Sequence, residues 1–450
     1  MRKIEKIVNL AKRRGFIFPS AEIYGGLGAV YDYGPLGVEL KNNVKQAWWR
    51  AMTANQDIVG LDSAILTPEI VWQASGHLQN FTDPMVDCKK CKQRFRSDLL
   101  EEDSGKTLDI IKCPNCGGEL TDPRSFNLLM KTELGVVDGQ KQDAYLRGET
   151  CQGIYLNFLN VMESMRLKPP FGIAQVGKAF RNEVTTKNFV FRMREFEQME
   201  MQYFLSEAQA KEAFGLWKEK RRNWYVNLGI TEDHLRFFEH PADKRAHYAR
   251  EAYDIEYKFD FTDENDGFKE MEGIHYRGDW DLSQHQKFSK QNLSVKDETG
   301  QEYIPHIVET SGGVDRATLA FLLEAYEEIE GGRTTTTESS KEVEVVLRLD
   351  KRLAPIKVAV LPLSKKPEIQ QVALPLFDDL ANHFRSQYDE TGSIGKRYRR
   401  QDEIGTPYCV TVDFDSLDDK KVTVRDRDTM AQERIGLDQV KTYLRDKLES

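Results

Sequence analysis

"FRNEVTTKNFVFRMREFEQMEMQYF", Phe180 to Phe204, reads as two strands joined by a polar loop, yet both strands carry arginine and glutamate where a packed hairpin would carry valine. Side chains of equal parity share one face of a strand. Arg181 and Glu183 therefore fall together, as do Arg192, Arg194, Phe196, Gln198, Glu200 and Gln202, while Met199, Met201 and Tyr203 take the opposite face. One face is apolar and packable; the other displays guanidinium, carboxylate and one aromatic ring. Such a face suits a ligand with phosphates, an amine and a flat base. It equally suits a solvated surface of cross-strand ion pairs, each contributing about 0.2–1 kcal/mol.

The 450 residues predict about three domains. No segment sustains the apolar run of a membrane span or a signal peptide, so the cytoplasm is the expected location. A net charge of −9 argues against indiscriminate adhesion to nucleic acid but not against local basic patches. "CKKCKQRFR" gathers Lys89, Lys90, Lys92, Arg94 and Arg96; "GKRYRRQ" gathers Lys396, Arg397, Arg399 and Arg400 around Tyr398. Each is either a phosphate-and-base surface or a solvated face. Cys88, Cys91, Cys113 and Cys116 form two C-x2-C pairs separated by 21 residues. Paired thiolates on two tight turns make a tetrahedral sulfur cage suited to structural zinc. Disulfides are disfavoured in a reducing compartment, and plain buried thiols would not explain the pairing. Cys151 and Cys409 stand alone and read as packing residues.

Leu40, Val44, Ala47, Trp48, Ala51 and Met52 recur at helical spacing, followed by an extended segment broken at Pro68. "SEAQAKEAFGLWKEKRRNWYVNLGI" reads as a helix, and "FKEMEGIHYRGDWDL" and "YIPHIVETSGGVDRATLAFLLEAYEE" as strand-then-helix units. "EGGRTTTTESSKEVEVV" has the composition of a linker. Beyond it, apolar strands alternating with helices predict a separate α/β domain. "ETSGGVDR" ends a strand at Glu309, turns through Gly312 and Gly313 and opens a helix at Arg316, a fixed cation for phosphate.

The helix with its Pro68 strand, the F-R-x-E of Phe180 to Glu183 with the R-E-F of Arg194 to Phe196, and the glycine turn before Arg316 come in the order of the three signature motifs of class II aminoacyl-tRNA synthetases. More closely, "EIYGGLGAVYDYGPLGVELKNN", "GETCQGIYLNF", "QVGKAFRNEV", "REFEQMEMQYF", "ETSGGVDR" and "GKRYRRQDEIGTPYCVTVD" resemble the homodimeric class II glycyl-tRNA synthetases along nearly the full chain. The resemblance implies an α+β fold: an antiparallel-sheet class II catalytic domain over 1–335 and a C-terminal α/β anticodon-binding domain over 353–450. The catalytic domain would carry a zinc-binding insertion at 84–122 and a helical insertion at about 205–255; a linker would span 336–352. It implies ligation of glycine to tRNA with ATP and magnesium, in a homodimer. Arg181 would hold the α-phosphate, Glu183 the adenine edge, Arg192 further phosphate and Arg316 the γ-phosphate, with Phe196 stacking on adenine. Glu270 and Glu309 would hold magnesium; Glu149 and Glu200 would face the glycine ammonium, with Arg277 and Ser311 around the pocket. Arg399 and Arg400, beside Asp402 and Glu403, are the candidates for tRNA contact.

Adenylation brings two anions together, so positioned cations, rather than a nucleophilic side chain, carry the chemistry. Two departures from the family pattern stand out. "RGETCQG" has Gly148 where the family has proline and Cys151 where it has alanine, and "TTKNFVF" keeps only Lys187 as a cation. A noncatalytic, nucleic-acid-binding relative would have no reason to keep Arg181, Glu183, Arg192, Glu200 and Arg316 together. The cysteine module, an insertion that contributes nothing to the three motifs, is expected to serve tRNA rather than adenylation.

Overall fold

The computed structural model describes residues 1–449 except 138–140, 184–187, 244, 246–247, 262–263 and 334–342, and leaves aside the side chains of 102, 103, 264 and 265. Lys187 and the first half of the expected linker lie outside the described residues. The centre is a seven-stranded sheet. In chain order its strands are β1 (Ile58–Gly60), β2 (Phe171–Phe180), β3 (Glu195–Leu205), β4 (Leu235–Glu239), β5 (Glu251–Lys258), β6 (Phe268–Gly278) and β7 (His306–Gly313). They lie side by side as β4-β5-β6-β7-β3-β2-β1, antiparallel throughout except for the parallel edge pair of β1 with β2.

Parity along β3 sorts as its sequence requires. Met199 and Met201 are fully buried in the main core, and Phe196, Gln198 and Glu200 line a cleft on the other face. The charged hairpin is nevertheless shorter than it reads. β2 ends at Phe180 and β3 begins at Glu195, so Arg181, Glu183, Arg192 and Arg194 lie in the connection and not on strands. Arg194, grouped by parity with Phe196, turns away from the cleft, and its guanidinium donates to the carbonyls of Glu183 (3.0 Å) and Gly28 (3.3 Å).

Three helices cover the apolar face: α1 (Pro35–Thr53), α2 (Glu207–Asn227) and α3 (Val314–Ala325). The α1 stripe of Leu40, Val44, Trp48 and Met52 is at most 1% exposed. Each such side chain contributes about 1.5–3 kcal/mol by burial. The stripe is therefore consumed inside one chain and is not left for a second subunit. Charges tie these helices to the sheet. Lys41 of α1 bonds Asp315 at the start of α3 (2.8 Å) and Glu197 of β3 (2.8 Å), and Asp315 also accepts from the Glu197 backbone N–H (2.7 Å). Deeper still, Arg221 of α2 pairs in two-pronged fashion with Glu272 of β6 (2.6 and 3.1 Å), and the Tyr225 hydroxyl donates to the same carboxylate (2.8 Å). Arg221 and Glu272 are essentially sealed from solvent.

The segment expected to be a helical insertion is only half helix: after α2 the chain returns as β4 and β5, the far edge of the central sheet. The expected linker contains a strand, Glu344–Leu347, paired with Tyr326–Ile329. The cysteine module is built on a three-stranded sheet whose central strand, Thr82–Asp87, follows directly from the short helix His77–Asn80. The C-terminal domain is a five-stranded sheet ordered Ser386–Tyr388, Val358–Pro362, Tyr408–Val412, Lys421–Asp426, Gln432–Gly436, with its own core. Among the described residues no helix is long and apolar enough to cross a membrane.

Candidate active site

The polar face of the sheet forms the floor of a cleft of about 430 Å³, within the range of small-ligand sites. Arg181, Glu183, Arg192, Phe196, Glu270, Arg316, Glu149, Glu200, Arg277, Glu309 and Ser311 all line it. Residues from five separate stretches thus converge on one cavity, in two groups of contacts.

The first group is cationic and aromatic. Arg181 donates to the Gly148 carbonyl (3.1 Å), and its guanidinium carbon lies 5.0 Å from the Phe81 ring centre and 5.2 Å from that of Phe196. Arg192 stands 3.6 Å from the Glu183 carboxylate. Arg316 donates to the Phe191 carbonyl (3.1 Å), lies over the Phe191 ring (4.5 Å) and pairs with Glu270 (3.0 Å). Confinement between the cleft walls would raise the Glu270 carboxyl, but Arg316, with Arg181 and His275 behind it, holds it below the usual carboxylate range.

The second group is a nest of carboxylates. Glu200 is 2% exposed and accepts from Thr150 Oγ1 (2.6 Å), Ser311 Oγ (2.6 Å) and Gln198 Nε2 (3.0 Å). Burial, with the like charges of Glu309 and Glu149, pushes its carboxyl up to about 8 despite those donors. Glu149 behaves oppositely: burial would raise it, but His77 and Arg277 hold it well below the usual range. The loop that carries Glu149 and Thr150 is fixed by Arg147, which donates to the carbonyls of Lys178 (2.7 Å) and Ser63 (2.8 Å). That guanidinium passes where a Cβ on Gly177 would sit, 2.2 Å from Nη2, so the strand needs glycine there.

Glu270 and Glu309, a pair in the sequence reading, are separated by the fold. Glu270 is half exposed to the cleft. Glu309 is 3% exposed, and its oxygens accept from Gln202 Nε2 (2.8 Å), His275 Nδ1 (2.6 Å) and Arg277 Nη1 (3.0 Å). Burial would raise its carboxyl, but Arg277 and His275 bring it down to about 2. Arg277 is itself locked by Asp281 (2.7 and 2.8 Å) beneath the Tyr248 ring (3.6 Å). Glu309 therefore joins the nest of Glu149, Glu200, Arg277 and Ser311.

Outside the cleft, the sulfurs of Cys88, Cys91, Cys113 and Cys116 all lie within 4.8 Å of one another, with Cys88 to Cys116 at 3.5 Å and Cys91 to Cys113 at 3.6 Å. A tetrahedron with metal–sulfur bonds of about 2.3 Å has edges of about 3.8 Å. The four thiols are therefore grouped closely enough to hold a metal ion. Of the cations around them, Lys89 pairs with Glu119, Arg94 with Asp87, and Arg96 with Asp83 and Asp98. In the C-terminal domain, Arg399 and Arg400 sit on the helix Ile394–Ile404. Arg400 is bound to Asp389 (2.6 and 2.9 Å). Asp402 is buried in a two-pronged pair with Arg425 (3.0 and 3.0 Å), and Glu403 pairs with Arg13 and Arg14.

Several cleft residues escape the sequence reading. His275 shares parity with Arg277 along β6, so the count that found Glu200 would have found it. His77, Phe81 and Tyr248 lie outside the central sheet, where no periodicity marks them.

Residues 130–326 match the family described as tRNA synthetase class II core domain (G, H, P, S and T), and residues 357–447 match the anticodon binding domain. The chain is 51% identical to the glycine–tRNA ligase of Streptomyces coelicolor, over 99% of this chain and 98% of that one. It is 50% identical to that of Bifidobacterium longum, over 98% and 92%, and 51% identical to that of Borrelia hermsii, over 100% and 98%. With this fold, this cleft and likeness over its whole length, the chain belongs to the glycine–tRNA ligase family.

Proposed function

We propose that the cleft joins glycine to ATP as an adenylate and that the same chain then passes the glycyl group to tRNA. The enzyme is an aminoacyl-tRNA synthetase, a ligase that charges tRNA with glycine. The observation that carries the site assignment is the division of one cavity into a cationic, aromatic half and a carboxylate half. ATP occupies the first. Phe196 offers its face to adenine and Glu183 accepts from the base edge. Arg181, Arg192 and Arg316 neutralise the phosphates as a glycine carboxylate oxygen attacks the α-phosphorus and pyrophosphate departs. Fixed charges of this kind act without reorganising at the moment of reaction. Glu270, open to the cleft beside Arg316, would hold the magnesium that accompanies ATP, whose charge would offset that of the phosphates.

Glycine occupies the carboxylate half. Glu149, Glu200 and Ser311 surround its ammonium, and Glu309 with Arg277 forms the floor; carboxylates this close to the α-carbon refuse a Cβ. Refusing a larger amino acid is the easier direction of discrimination, and none is smaller. The four cysteines would bind zinc as a structural ion that orders the turns around it. Arg399 and Arg400, on one helix of the anticodon-binding domain, are the candidates for tRNA contact. A homodimer in the cytoplasm completes the reading; sedimentation in solution tests the dimer.

ATP–pyrophosphate exchange with each of the twenty amino acids tests the whole. Magnesium-dependent exchange with glycine alone is expected. Faster exchange with alanine or threonine would overturn the substrate, and none with any amino acid would leave a nucleic-acid-binding protein.

A further inference from the structure

The short helix His77–Asn80 precedes the cysteine module, outside all three motifs, yet it forms one wall of the cleft. His77 is 7% exposed. Its ring is clamped edge-on by Trp72 and Phe81, each with centres 5.2 Å away. Asn127 Nδ2, from the far side of the module's sheet, donates to the carbonyls of His77 and Leu78 (3.1 Å each) and fixes the backbone. Ser75 Oγ meets Nδ1 at 2.8 Å, and Nε2 lies 3.1 Å from Oε1 of Glu149.

That oxygen is crowded. Cys151 Sγ (3.0 Å) and Gln152 Nε2 (3.0 Å) also donate to Oε1, whereas among the described residues no donor reaches Oε2. A carboxylate is an acceptor only, so His77 donates through Nε2–H. With three donors on one oxygen, the carboxylate cannot turn, and the other oxygen is left to the cavity.

We propose that His77 is a positioning residue of the amino-acid pocket: by pinning Oε1 of Glu149 it presents Oε2 to the ammonium of glycine. The inference rests on the glycine pocket proposed above. His77 touches neither substrate; it acts through Glu149. Its loss should therefore appear in glycine binding and leave ATP alone.

The test is ATP–pyrophosphate exchange on the full chain with His77→Ala, His77→Gln and Ser75→Ala, reading KM for glycine and ATP separately, with circular dichroism as the folding control. His77→Ala should raise the glycine KM roughly 10- to 100-fold, as for one hydrogen bond to a charged group, with the ATP KM unchanged. A glutamine amide can donate in place of Nε2, so His77→Gln should recover most of the loss. Ser75→Ala, which keeps the ring, should show a smaller shift of the same kind. Parallel rises in both KM values, or a glutamine variant no better than the alanine one, would overturn the role. Should His77→Ala fail to fold, His77→Gln and Ser75→Ala decide alone: a rise in the glycine KM confined to Ser75→Ala supports the role, and a glycine KM that both leave unmoved overturns it. The parent is assayed first; absence of glycine-dependent exchange there refutes the pocket itself, a result distinct from failure of His77.

Discussion

In the cleft, Arg192 and Arg316 are held along one side and face a cavity with the other; in the C-terminal domain, Arg397 and Arg400 are consumed by the chain that carries them. Arg397 is 2% exposed and donates to the carbonyls of Pro362, Leu363 and Asp389; Arg400 is spent on Asp389. The difference lies in the acceptors. The cleft arginines come from a connection and a helix start above an open sheet face: Arg316 spends Nε and Nη1 on Phe191 and Glu270, and Arg192 lies 3.6 Å from the Glu183 carboxylate. The C-terminal arginines sit on a helix packed beside the ends of parallel strands, where unpaired carbonyls and Asp389 meet them. A guanidinium binds phosphate only where the fold leaves its donors unclaimed.

The largest test of this contrast is Arg192→Ala. Adenylation should fall by about 10²–10³, as for one preorganised charge-stabilising donor, with the circular dichroism spectrum intact. An active variant would mean that the Glu183 contact already exhausts Arg192, as Asp389 exhausts Arg400.

The second test is one of pH. With its carboxyl at about 8, Glu200 holds a proton at neutrality in the ligand-free pocket. An ammonium needs the carboxylate, so glycine affinity should rise by nearly tenfold per pH unit below that value and level off above it. Calorimetric titration reads it; Glu200→Gln should flatten the profile and weaken glycine far more than ATP. A flat profile in the parent would show Glu200 ionised throughout. In the ligand-free protein the same group costs stability as pH climbs from the ordinary carboxylate value towards 8, because the folded state keeps a proton that the unfolded chain has released.

A third test concerns the cysteine module. Cys113→Ser with Cys116→Ser should release one metal ion per chain, measurable by elemental analysis. It should also raise the glycine KM several-fold, because the strand Thr82–Asp87 continues directly from the cleft wall of His77 and Phe81. An unchanged KM would restore the expectation that the module serves tRNA alone. The smallest effect belongs to Arg400→Ala: exchange should be unaffected and thermal stability should fall by no more than about 1 kcal/mol, the worth of a partly exposed pair.

Part of the cleft was legible from local pattern, while Glu149, Glu270, Arg277, Glu309 and Ser311 came from the family resemblance. Parity along one strand sorted Phe196, Gln198 and Glu200 from Met199 and Met201, because a sheet buried on one face enforces the alternation. It failed at Arg194, where the strand has not yet begun. The approach of His77 and Phe81 to Glu149 and Arg181 is non-local: it depends on where the module's sheet docks, which no periodicity records. Nor can charge type alone divide Glu270 from Glu309, since their difference lies in the donors around each.

The Arg221–Glu272 pair beneath the floor of the cleft carries a consequence for how this chain can diverge. Losing either partner strands a charge in the core, at a cost of about 3–5 kcal/mol, whereas replacing both by apolar groups of like volume can be nearly neutral. A Cβ on Gly312 would press to 3.0 Å from Met199 Cε and 3.1 Å from the same carboxylate, so glycine is held at that turn whichever pair of like volume fills positions 221 and 272. Positions 221 and 272 can drift together but not singly, while 312 stays glycine. In a set of descendants the two should change as a bloc, with lineages that keep one partner and lose the other missing from the record.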